Sequence, residues 1–152
     1  MAKKKANEKV LNIDNILLNC RDILRAARNS GSFFEKRDMM LTLIFLRFIG
    51  EKYEDGIANL RKVLIEQGLD PDDENIRTAF FEDATFADGT YNLSKEARWS
   101  TIINTPAPEL NVALDTALHS IASESKDLKG CFIEGTFTTR NLAPNDIKKL
   151  VD

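Results

Sequence analysis

The chain has 152 residues, 43% of them hydrophobic and 30% charged, which is enough for one domain with its own buried core. Its 21 lysines and arginines are outnumbered by 24 aspartates and glutamates, for a formal net charge of -3. That balance argues against a generally basic nucleic-acid binder but leaves room for a local basic face. Cys20 and Cys131 are far apart and form no CxxC pair, so a disulfide framework or structural zinc site is not expected. Two free, buried thiols in a reducing cytoplasm are expected instead. No signal peptide is apparent, and the apolar run Met39 to Ile49, broken by Thr42 and Arg47, is about half a bilayer span. It reads as a core helix, with no membrane partner.

Residues 1–9 are polar and without periodicity, a flexible basic arm; residues 10–152 read as one helical domain. Asp14 is a candidate N-cap. Ile13, Ile16, Leu17, Cys20, Leu24 and Ala27 recur at helical spacing, with Arg21, Asp22, Arg25 and Arg28 largely on the other side. Asn29-Ser30-Gly31-Ser32 ends that helix, and Gly31 is free to turn left-handed. Phe33 to about Tyr53 is the most hydrophobic segment and covers nearly a whole helical circumference. It is expected to be the central helix, wrapped by the others, with Phe33, Phe34, Phe45 and Phe48 in the core. Gly50 would admit a close neighbour. A further helix through Leu60, Val63 and Leu64 stops at Gln67-Gly68.

Residues 80–93, with Phe80, Phe81, Phe86 and Tyr91 around Asp88-Gly89, suggest one irregular or hairpin-like excursion. Ser94 to Ala97 is a helix start, with Arg98-Trp99 in its first turns. Thr105-Pro106-Ala107-Pro108 interrupts, and Leu110, Ala113, Leu114, Ala117, Leu118 and Ile121 form the next apolar stripe. Leu128 to Phe132 connects to a last short helix over Asn145 to Val151. The fold class is all-α: a compact multi-helix bundle of five to seven helices.

Chemistry-bearing constellations are sparse. The single histidine, His119, has only Asp115 at the i-4 position and reads as a surface or boundary residue. Neither a glycine-rich nucleotide loop nor an EF-hand is present, and Asp72-Asp73 and Glu82-Asp83 read as solvated acids. No catalytic, cofactor-binding or metal-binding residues are therefore expected. Two basic features stand out. Lys3, Lys4 and Lys5 could touch phosphates from a mobile arm. Arg21, Arg25 and Arg28, followed by Lys36 and Arg37, could form a contact stripe diluted by Asp22 and Glu35.

The run Ile16 to Gly50, ILLNCRDILRAARNSGSFFEKRDMMLTLIFLRFIG, resembles the opening helices of the DNA methyltransferase (modification, M) subunit of type I restriction-modification systems. Leu41 to Ile49 match that family's "LxLIFLKYI" helix, with Arg47 and Phe48 in the usual lysine and tyrosine positions. Glu96 to Trp99 is similar to its "P-x-x-ARW" element, with Ser94 replacing the usual proline. Leu110 to Leu150 is similar to its "ALxxIExxNxxLKG…NL…KLxxLID" ending, with Ser125 where asparagine is usual. The resemblance spans essentially the whole chain. It implies a non-catalytic N-terminal domain that helps subunit assembly and closure around DNA. The catalytic domain, with its S-adenosylmethionine loop and NPP(F/Y) motif for a flipped adenine, would lie outside these residues. This piece alone is predicted inactive, although the full-length subunit would be an S-adenosylmethionine-dependent N6-adenine methyltransferase. The implied partners are a specificity subunit, a restriction subunit, a second modification subunit and double-stranded DNA. Lys3, Lys4, Lys5, Arg21, Arg25, Arg28, Lys36 and Arg37 become candidate DNA or subunit contacts, while Arg98 would stack or pair near Trp99. The alternative is a freestanding helical protein–protein interaction or regulatory module.

Overall fold

A computed structural model describes residues 13–28, 30–82 and 93–152. The described residues contain no strand and six α-helices: α1 Ile13–Ala26, α2 Phe33–Glu66, α3 Glu74–Arg77, α4 Trp99–Asn104, α5 Leu110–Glu124 and α6 Pro144–Val151. The all-α expectation holds. Lys3, Lys4 and Lys5 of the expected basic arm lie outside the described residues. So does most of the excursion expected at 80–93; the described part, Thr78–Glu82, extends α3 by a π-helical turn.

α1 begins before Asp14, which sits in its first turn as a favourable charge and not as the N-cap. Its far end is closed by Ser30. That buried hydroxyl lies 2.7 Å from the Leu24 carbonyl oxygen and 3.1 Å from that of Ala27, donating to carbonyls the helix leaves unpaired. Gly31 turns the chain at φ +83°. Ser32 then opens α2 with a capping box, its Oγ accepting from the Glu35 N–H while the Ser32 N–H donates to the Glu35 carboxylate at 2.7 Å.

The two helices expected between Phe33 and Gly68 are one. α2 runs 34 residues without a break, because Glu51 to Asp55 are good or tolerable helix residues whose charge marks only an exposed face. It ends where the Leu69 N–H donates to the Leu64 carbonyl and the Gly68 N–H to that of Ile65, the paired bonds that need a left-handed residue at Gly68, φ +77°. Arg61 then holds Asp72 with both carboxylate oxygens at 3.0 Å.

Nor is α2 wrapped on all sides. Met39, Leu43, Leu46, Ile49 and Tyr53 form one buried face, whereas Phe33, Phe34, Leu41 and Phe48 are 75, 64, 57 and 60% exposed. Only Phe45 among the four phenylalanines expected in the core is partly buried, its ring 5.1 Å from that of Phe132. At Gly50, α4 crosses so closely that an added Cβ would lie 2.5 Å from Trp99 Cβ. The helix start expected at Ser94 is a separate 3-10 turn, Lys95–Ala97. Arg98 is extended behind it, and α4 starts at Trp99.

α5 buries Leu110, Leu114, Ala117, Leu118 and Ile121 as its stripe requires, and α6 packs Ile147, Leu150 and Val151 against α1 and α5. The segment between them has no regular element, yet Phe137 and Leu142 plug the core. Asp115 holds it there, accepting from the Phe137 and Thr138 N–H groups at 3.1 and 2.8 Å and from Thr138 Oγ1 at 2.7 Å. Asn111 adds a bond to the Leu142 carbonyl at 2.9 Å. Both cysteines are free, but the expected burial fails for Cys131, which is exposed; Cys20 is half-buried. No described helix is long and apolar enough to cross a membrane.

Candidate interaction surface

The short turn between α1 and α2 folds the two helices into a hairpin, and a solvent-open groove of about 590 Å³ runs between them. Its apolar surface comes from Leu17 and Leu18 on α1 and from Phe33, Met40, Leu41 and Ile44 on α2. The side chains at i, i+4 and i+8 on α1 reach it because they share one helical face. Every charged residue lining this groove is cationic: Arg21, Arg25, Lys36 and Arg37.

The hairpin therefore unites four residues of the sequence-predicted contact stripe. Arg28 is exposed but outside the groove lining. Asp22 does dilute the charge, its Oδ1 3.0 Å from Arg21, and Asp38 likewise pairs with Arg37 at 2.8 Å. Glu35 does not, because its carboxylate is taken up by the Ser32 cap and by an ion pair with Arg140. Arg25 and Lys36 form no ion pair among the described residues. Arg37 also stacks its guanidinium 5.3 Å from the Phe34 ring centre.

The sequence reading missed the exposed stripe Phe34, Arg37, Leu41, Ile44 and Phe48 along α2. Its three-and-four spacing was visible, but the surrounding apolar residues hid which side would face water.

Other clefts also contain polar side chains. One, of about 700 Å³, lies between α5 and residues 129–138 and includes His119. His119 is at the surface as expected, and the carboxylate of Asp115 is engaged by the Phe137–Thr138 backbone. A cleft of about 610 Å³ holds Arg61, Arg77 and Arg98 beside Tyr53 and Phe81. Arg98 stacks on Tyr53, 5.1 Å from the ring centre, and not on Trp99; its Nε donates to the Leu93 carbonyl at 3.3 Å. No group of three or more His, Cys, Asp or Glu suited to a metal ion occurs among the described residues. Among the described residues two titrating groups are clearly perturbed. Burial pushes the Cys20 thiol up, and hydrogen bonds from its own backbone N–H and from Ser94 hold the Glu96 carboxyl down.

The described residues thus form an all-helical domain whose α1/α2 hairpin carries a cationic, apolar groove. The match to the HsdM N-terminal domain family covers residues 13–152, so the chain belongs to that family, the N-terminal domain of the modification (methyltransferase) subunit of type I restriction-modification systems. The resemblance read from the sequence is thus supported over nearly the whole chain. No curated protein and no solved structure matches it.

Proposed function

We propose that this domain is a non-catalytic module of the modification subunit. It helps that subunit assemble with the specificity subunit, a second modification subunit and the restriction subunit, and close around double-stranded DNA in the cytoplasm. In this reading S-adenosylmethionine binding and adenine methylation belong to another part of the full-length subunit. The observation that carries the proposal is the groove between α1 and α2, where Arg21, Arg25, Lys36 and Arg37 surround exposed apolar side chains. Leaving that much apolar surface in water brings the isolated fold no stability, and such patches mark contact sites. The non-catalytic part is supported by where the polar groups go. Asp115, Asp73, Glu35 and Ser32 are spent on caps and loop anchors.

The test uses the whole modification subunit with Arg21, Arg25, Lys36 and Arg37 all changed to glutamate. Sedimentation should show weakened assembly with the specificity subunit. Duplex binding by the complex should weaken along with its assembly. S-adenosylmethionine binding should be unchanged. Assembly and duplex binding like the parent protein would refute the module reading, and lost S-adenosylmethionine binding would refute the non-catalytic one.

A further inference from the structure

We infer that the α1/α2 groove receives a single amphipathic helix with acidic flanks, supplied by a different polypeptide. The inference rests on the assembly reading and deepens it by naming the chemistry of the occupant. Three features of the groove point to it. The first is register. Phe33, Arg37, Met40 and Ile44 of the groove lining follow one another at steps of four, three and four residues. That is the a/d spacing of a helix prepared to meet another helix, and the span from Phe33 to Ile44 is about 16 Å, three turns.

The second is shape. Leu17 and Leu18 of α1 stand opposite Leu41 and Ile44 of α2, so an incoming helix would lie against two helices at once and cover both apolar banks. Helix-in-groove recognition reads such anchors at i, i+3, i+4 and i+7 spacing on the incoming helix.

The third is charge. The groove lining carries four cations and no carboxylate. Acidic residues flanking the apolar stripe of the incoming helix would meet Arg21 and Arg25 on one side and Lys36 and Arg37 on the other. The same fact disfavours a second copy of this chain, since a two-fold contact would set this cationic rim against itself. Phosphate would satisfy the rim but leave Leu17, Leu18, Leu41 and Ile44 without an apolar partner, so a duplex fits the groove less well than a helix does.

The probe is a capped peptide of about 20 residues, with leucine at a and d positions and glutamate at e and g, labelled for fluorescence anisotropy. Its counterpart carries lysine at e and g. The glutamate peptide should bind the chain at least about tenfold more tightly than the lysine peptide. The double variant Arg25→Glu, Lys36→Glu should reverse that order. Leu41→Glu should abolish binding of both peptides while leaving circular dichroism and thermal unfolding intact, because Leu41 is 57% exposed.

Equal binding of the two peptides would overturn the proposal. So would displacement of the acidic peptide by a short DNA duplex whose own affinity survives Leu41→Glu, or self-association of the chain that Leu41→Glu removes. If no peptide binds while Leu41→Glu in the whole modification subunit still weakens its complex, the helix occupant is wrong and the assembly reading survives. If that variant also assembles normally, both fail.

Discussion

Gly50→Ala tests the closest approach in the fold, between the middle of α2 and the start of α4. On an isolated helix the change would help, because alanine is favoured over glycine by about 1 kcal/mol. Here the new Cβ would lie 2.5 Å from Trp99 Cβ, 3.0 Å from its backbone nitrogen and 3.3 Å from its Cα. Carbon–carbon contacts settle at about 3.5–4.0 Å, so the two helices must part by roughly 1 Å. The atoms in the way are the root and backbone of Trp99, not a flexible tip, and Trp99 is itself buried. Overpacking of this kind costs typically about 1–3 kcal/mol. An expected value above the middle of that range, less the helix gain, leaves a net loss of about 1–2 kcal/mol. At this chain length each kcal/mol moves Tm by about 2–4 °C, so calorimetry should show a fall of several degrees. Asn59→Ala, on an exposed position of the same helix, supplies the baseline: helix propensity alone should raise stability by about 0.5 kcal/mol. If Gly50→Ala raises Tm as Asn59→Ala does, α4 does not cross α2 at this point and the packing argument is refuted.

Asp115→Ala should destabilise the domain by about 1.5–3 kcal/mol, since it strips two backbone N–H groups and the Thr138 hydroxyl of a charged acceptor. Hydrogen exchange should rise selectively around Phe137 and Thr138, and uniform exchange would count against Asp115 as the anchor. Thiol titration should find Cys131 reacting first, as the exposed cysteine. Cys20 should lag by roughly an order of magnitude, its thiolate disfavoured by burial; Cys131→Ser should remove the fast phase and no other. For Glu96, the bond from its own backbone N–H, followed by that from Ser94, favours the ionised form in the folded state and lowers its pKa below the ordinary 4.5. Its contribution is therefore present above that value and is lost as pH falls through the lowered one. The urea midpoints of the parent chain and Glu96→Gln should differ at neutral pH and converge in acid, and a gap that persists in acid would contradict the assignment.

Much of this architecture was legible in the sequence because burial and periodicity agree where a helix has one dry face. α5 is such a case: Leu110, Ala113, Leu114, Ala117, Leu118 and Ile121 could only be one stripe, and all but the half-buried Ala113 are buried. α2 is the opposite case. Its apolar residues occupy two faces, and composition alone cannot say that Met39, Leu43 and Leu46 meet the core while Phe34, Leu41 and Phe48 meet solvent. Periodicity fixes which residues share a face; only tertiary packing decides which face is covered. The charged residues 51–55 misled for a related reason, since a solvated helical face looks locally like a loop. In contrast, Ser32-Phe33-Phe34-Glu35 is a readable capping signature, and recognising it would have freed Glu35 from the basic stripe. The roles of Ser30 and Asp115 could not be read locally, because each depends on where a distant or non-helical backbone segment comes to rest.

The two apolar faces of α2 carry different kinds of information. The face containing Gly50 is complementary to Trp99 and Ile102 of the same chain, and its energy is realised on folding. The face containing Leu41 has no such partner among the described residues, while the cations beside it make self-association unfavourable. Hydrophobic surface is non-directional, so specificity on the second face must come from the rim. Arg21 and Arg37 have their charge partly met by Asp22 and Asp38, which leaves Arg25 and Lys36 as the stronger determinants of partner sign. Reversing those two should therefore alter the choice of partner more than reversing Arg21 and Arg37, with little change in folding stability either way. Equal effects from the two pairs would mean that the local carboxylates do not tune recognition.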